Sequence, residues 1–207
     1  METSMANHLD PNAWIQTFSG VRFFPFAPKG DDINIDDIAH SLSFLCRFTG
    51  HTRTFYSVAQ HSLIVSAIVR NERARPWALM HDGAEAYIGD ISSPMKKFAP
   101  DLKLAERLIQ TTMRDKWAIP YDQEIADEVH RADLWLCYEE AKLLLPNSEV
   151  LKLWALRAEL EKMPPFEPCG DFLDYRRAIQ ANVSMATIEV GFLSAFHNLV
   201  LKKREAA

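Results

Sequence analysis

Residues 57–68 read SVAQHSLIVSAI. Ser57 is a helix cap, and Val58, Leu63, Val65 and Ile68 behind it form a broad apolar face, so the stretch reads as a helix. Upstream, Asn34 or Asp36 caps a helix in which Ile38, Leu42, Leu45 and Phe48 recur at three- or four-residue steps and which Gly50 ends. Downstream, Arg75-Pro76 puts a proline into the first turn of a third helix, residues 77–87, closed by Gly89. Further helices are expected over residues 101–117, 122–145, 149–161 and 184–202, with prolines at 94, 100, 120, 146, 164, 165 and 168 falling between them. Ahead of all of these, WIQTF-SG-VRFFPF (residues 14–26) is aromatic and β-branched around Ser19-Gly20, the pattern of a short hairpin. The expected fold class is all-α: a helical bundle with a small N-terminal β-hairpin, one domain over residues 1–207.

Composition narrows the function classes. At 207 residues one domain suffices, since about 150 residues per domain is the usual scale. Lys and Arg number 23 against 28 Asp and Glu, a net charge of −5, which is the wrong sign for coating a long nucleic acid. Cys46, Cys137 and Cys169 are widely spaced with no C-x-x-C pair, which speaks against a disulfide framework or a thiolate zinc site and suits a reducing cytoplasm. The apolar runs are far shorter than the roughly 18 residues of a membrane span. Residues 1–11 lack the basic start and apolar centre of a signal peptide. The expectation is a soluble cytoplasmic protein with no membrane partner.

The densest polar cluster, HDGAEAYIGDISSPMK at residues 81–96, lies where an apolar helix would otherwise run. On a helix Asp82 and Glu85 share a face, as do His81 and Glu85, and Asp90 follows Gly89. His61 sits among apolar neighbours 20 residues earlier, and Asp133 sits in HRADLWL. Singly, each has an ordinary alternative: a hydrogen-bonded core histidine, a helix-end cap, a surface aspartate. Together they are the set a helical bundle needs to project imidazole and carboxylate ligands inward from separate helices. Two His and two Asp suit Zn, Fe, Mn, Co or Ni better than an ion that demands thiolates, or Mg.

The order His61, His81-Asp82, Asp133 resembles the H…HD…D signature of the HD-domain metal-dependent phosphohydrolases. One branch is closest in pattern: bacterial 5′-deoxynucleotidases, phage dATP triphosphohydrolases and related phage and prophage HD proteins. It carries HDxxE, then GD, then PxK, and this chain reads HDGAE, Gly89-Asp90 and Pro94-Met95-Lys96. It also carries an Arg-aromatic pair on the helix before the first ligand, here Arg47-Phe48, and the stretch RFTGHTRTFYSVAQHS is similar to the prophage members. The resemblance covers residues 14–138.

The resemblance implies an HD-domain bundle whose His61, His81, Asp82 and Asp133 bind one divalent ion (Co, Mn, Zn, Fe or Mg, with Zn or Co expected). It implies that water attacks the α-phosphorus of a (deoxy)nucleotide, releasing nucleoside and either phosphate or triphosphate. Glu85 is then the acid/base and Asp90 orients water or supports the ligands. Arg47 would clamp phosphate through its guanidinium fork, and Lys96 would add a point charge. Phe48 stands where relatives usually have Trp against the sugar, and Gln60 stands before His61 where several have Glu. A homo-oligomer, dimer or higher, is also implied, with the Ile188, Phe192, Phe196, Leu199 stripe as either core or interface. Alternatives are another HD activity, such as alarmone hydrolysis, and a non-catalytic nucleotide-binding regulator stapled by its metal.

Overall fold

A computed structural model describes residues 12–202. The stretch read against a signal peptide lies outside them. The chain opens with the expected hairpin, reduced to β1 (Ile15–Gln16) and β2 (Arg22–Phe23), antiparallel with Ile15 opposite Phe23. Gly20 turns it at φ 85°, a conformation that costs glycine little. Asp37 of the next helix anchors it, accepting from the Ser19 amide and hydroxyl.

Helices make up the rest. They are α1 (Ile35–Phe44), α2 (Val58–Ile68), α3 (Arg75–Met80), α4 (Glu85–Ile88), α5 (Ser93–Lys96) and α6 (Pro100–Trp117). They continue as α7 (Gln123–Leu144), α8 (Ser148–Leu151), α9 (Ala155–Leu160), α10 (Phe172–Gln180) and α11 (Met185–Phe196), whose last turns widen over His197–Leu201. Side chains cap them where the sequence offers oxygens: Asn34 on α1, Ser57 on α2, Asp122 on α7, Asp171 on α10 and Ser184 on α11. α2 lies at the centre, packed by α1, α3, α7 and α11, and its Val58, Ala59, Val65 and Ile68 are sealed from solvent. Ile188, Phe192 and Phe196 of α11 are buried as well, so that stripe is core. Among the described residues no helix is long and apolar enough to cross a membrane.

Three local expectations need correction. The first helix ends at Phe44, before Arg47-Phe48. Leu45 turns extended, Cys46 bridges Ser57, and Arg47 N–H donates to Tyr56 O at 2.9 Å, so the pair sits on a tight turn, Arg47–Gly50. The helix expected over 77–87 is two short helices joined through His81–Ala84, where the Gly83, Glu85, Ala86 and Tyr87 amides each bond the carbonyl three residues back. Gly83 permits that tightening, because a Cβ there would lie 3.0 Å from both Met113 Sδ and Met80 O. The helix expected over 149–161 breaks at Trp154, whose backbone is extended (ψ 134°). Gln60, which stands before His61 where several relatives have Glu, closes a capping box here, its Oε1 accepting from Ser57 N–H at 3.0 Å.

Candidate metal centre

His61 sits on the second turn of α2 with no solvent exposure. Its Nδ1 lies 2.7 Å from Glu140 Oε1, and its Nε2 lies 3.0 Å from Asp133 Oδ1 and 3.9 Å from Asp82 Oδ2. Both neighbours are carboxylates, which only accept, so without a cation the ring is drawn toward its doubly protonated form; with a cation at Nε2, Glu140 would keep the proton on Nδ1. His81 ends α3, and its Nδ1 donates 2.7 Å to the Ala78 carbonyl. Its Nε2 is buried and makes no hydrogen bond, although Asp82 Oδ2 is 3.3 Å away and Asp133 Oδ1 3.8 Å. A buried ring nitrogen without a hydrogen bond is costly unless something binds it.

One ligand atom each from His61, His81 and Asp82 lie within 4.8 Å of one another, so the group could hold a metal ion. The donor set passes on its own chemistry: two imidazoles with inward nitrogens and a carboxylate suit a borderline divalent cation. Each imidazole has its second nitrogen anchored, the usual support for a ligating histidine.

Glu140 supplies that anchor for His61 and was not expected from the sequence. It is fully buried, taking Tyr56 Oη and His61 Nδ1 on Oε1, both at 2.7 Å, and Arg47 Nε on Oε2 at 3.1 Å. Burial alone would raise its pKa; the charges of His61 and Arg47 prevail and lower it. Arg47 also reaches Asp82 Oδ2 at 3.5 Å. Burial opposes its charge, but the neighbouring carboxylates, Glu140 foremost, hold it firmly protonated. For Asp133 burial is likewise outweighed, by the hydrogen bond with His61 and the nearby His81 imidazole, which hold it well below the usual carboxylate range.

Glu85 differs from these carboxylates. Its Oε1 accepts from Lys96 Nζ at 3.0 Å, while its Oε2 is buried without a partner. Burial, then the charges of Asp82 and Asp90, push its pKa well up. Asp90 is raised too, chiefly by burial. Lys96 also donates to Glu106 Oε1 at 2.9 Å, and the two glutamates outweigh its burial and hold its charge.

These groups open into a cavity of about 310 Å³. Asp82, Glu85, Asp90, Asp133, Arg47 and Lys96 line it, and Phe48, Leu134, Trp154 and Leu156 supply apolar surface. His61 and His81 stand behind, and a second depression of about 490 Å³ reaches His81, Asp82 and Asp133 past His130 and Gln110. All nine residues singled out from the sequence therefore gather in one place. Trp154 and Glu106 join Glu140 as site residues that sequence reasoning missed.

No family model matches the chain. It is 48% identical over 108 residues to the uncharacterized protein YfdR of Escherichia coli (strain K12), covering 52% of this chain and 60% of that protein. It is 41% identical over 92 residues to an uncharacterized protein of Rhodobacter capsulatus, covering 41% of this chain and 47% of that one. The chain thus spans about half the length of the curated relatives it matches.

Proposed function

We propose that this chain is a cytoplasmic, divalent-metal-dependent phosphohydrolase of the HD-domain type, acting on (deoxy)nucleotides at the 5′-phosphate and releasing the nucleoside. One observation carries the reading: two anchored imidazoles turn their Nε2 atoms toward Asp82 and Asp133, beside the unpartnered Oε2 of Glu85. His61, His81, Asp82 and Asp133 would hold the ion, Zn or Co being expected. Bound there, a divalent ion lowers the pKa of water and polarises a phosphoryl oxygen.

The chain's own groups then divide the work. Arg47, its Nε fixed by Glu140, presents the rest of its fork to a phosphate in the cavity. Glu85 would take a proton from the attacking water at Oε2 once a cation offsets the Asp82 and Asp90 charges that push its pKa up, while Lys96 steadies Oε1. As the new P–O bond forms and the bond to O5′ breaks, the same proton passes to the leaving oxygen. Asp90 orients water at the cavity wall, and Phe48 packs on the sugar.

Ion balance favours the monophosphate over the triphosphate. Arg47 and Lys96 are both already paired with carboxylates, and acidic groups outnumber basic ones around the cavity. One divalent ion offsets that excess and leaves little positive charge for a long polyphosphate tail. A homo-oligomer belongs to the proposal through the resemblance alone.

The test is to strip the chain with chelator, restore Co, Mn, Zn, Mg or Fe separately, and supply each deoxy- and ribonucleotide as mono- and triphosphate. Anion-exchange chromatography tells phosphate, pyrophosphate and triphosphate apart. Metal-dependent nucleoside release supports the reading. Nucleotide binding without turnover under any metal would make the protein a sensor instead.

A further inference from the structure

We propose that Trp154 forms the wall of a slot for a planar aromatic ring, the nucleobase of the ligand, beyond the sugar that Phe48 packs against, and that Trp154 sets the base preference. The inference rests on the nucleotide reading of the cavity and adds a base-binding contact to it. Contacts lead outward from the metal centre in a fixed order. Asp82 meets the Arg47 guanidinium at 3.5 Å, that guanidinium lies 5.6 Å from the Phe48 ring centre, and the Phe48 ring lies 6.4 Å from Trp154. Cation site, phosphate clamp, ring, ring: this is the order in which a 5′-nucleotide presents phosphate, sugar and base.

Two independent features say that these rings serve the cavity. Phe48 has φ 54°, as does Thr49, a left-handed conformation that side chains with a Cβ rarely adopt and that proteins retain mostly at functional sites. Trp154 breaks a helix between α8 and α9 with no proline or glycine to force it. Its ring belongs neither to the buried core nor to the half-buried residues packed on that core; it lines the cavity, with Leu156 and Leu134. The rings are tilted by 50° with centres 6.4 Å apart, so Phe48 does not stack on the Trp154 face.

Stacking tolerates every base, because each has a π-face. It therefore predicts a site that accepts all bases and binds purines more tightly than pyrimidines, through their larger area. The cavity volume of about 310 Å³ fits one such ligand, at the low end of small-molecule sites.

The products of the proposed reaction test this without turnover. Binding of 2′-deoxyadenosine and of inorganic phosphate to the Mn-loaded full chain is measured by calorimetry for wild type, Trp154→Ala and Trp154→Phe. Trp154→Ala should weaken deoxyadenosine by roughly five- to a hundredfold, the worth of one base–aromatic stack. Phosphate binding should stay within about twofold, since the ring makes no ionic contact, and Trp154→Phe should restore most of the loss. Deoxyadenosine affinity unchanged in Trp154→Ala, or deoxyadenosine unbound while phosphate binds, overturns the slot and leaves the nucleotide reading standing. Failure of both products to bind wild type overturns the two together.

Discussion

His61 Nδ1 and Glu140 Oε1 lie 2.7 Å apart, and both side chains have no solvent exposure. Through its other oxygen Glu140 holds Arg47, so one buried carboxylate orients both a candidate metal ligand and the candidate phosphate clamp. Glu140→Ala strands three buried partners, and breaking a buried pair in this way costs about 3–5 kcal/mol. Glu140→Gln keeps the shape but loses the charge, and divalent-ion affinity should fall by about 10- to 100-fold. Thermal melts and metal titration of both variants check this; Glu140→Gln with wild-type metal affinity contradicts it.

Gly83→Ala tests the tight turn that sets His81 and Asp82 beside Glu85. The new methyl would meet Met80 O and Met113 Sδ at 3.0 Å, and only the methionine can move. A loss of about 1–3 kcal/mol is expected from overpacking. Denaturant unfolding gives the value, and no change in midpoint would show that the turn has room.

Lys96→Met should act on Glu85 more than on the fold. It removes the donor to Glu85 Oε1 and Glu106 Oε1 and leaves two carboxylates without their cation. If Lys96 steadies the acid/base, kcat should drop by about ten- to a hundredfold, part of the usual worth of such catalysis. The melting temperature should move by only a few degrees, because the Glu85 carboxyl, already pushed up by burial, can take a proton when the lysine is gone. Steady-state kinetics beside a thermal melt separates the two effects; unchanged kcat removes Lys96 from the account.

Cys137 supplies the pH prediction. Burial, opposed by Arg47 and reinforced by Glu140, pushes its thiol up to about 12. An unfolded thiol titrates near 8.5, so the folded chain holds this proton more tightly. Its contribution to stability is complete below about pH 8.5 and is lost as pH rises toward the folded value. Alkylation of Cys137 in the native protein, followed by mass spectrometry, should accelerate only well above pH 9. A rate profile with its midpoint at an ordinary thiol value contradicts the assignment.

Capping residues and periodicity made most helices legible: Ser57 caps α2 as its place ahead of an apolar run predicts, and of Asn34 and Asp36 it is Asn34 that caps α1. The helix α10 was overlooked although Asp171 caps it, because the prolines just before it read as the end of regular structure. The break at Trp154 has no local signal, since neither proline nor glycine stands there. The site residues His61, His81, Asp82 and Asp133 were legible as polar groups inside apolar segments. Glu140 belonged to the same class. It falls on the row Ala132, Leu136, Glu140, Leu144, four residues apart on the buried face of α7, and a carboxylate on such a row demands partners. Which partners it finds depends on α2 and the Arg47 turn, and no spacing within α7 reveals them.

The most direct measurement follows phosphate release from 2′-deoxyadenosine monophosphate while Mn(II) is titrated into chelator-treated protein. The account predicts no release without metal, then a rise that tracks ion occupancy and is abolished in His81→Ala. Release that is indifferent to chelator, or none at full occupancy, would contradict it.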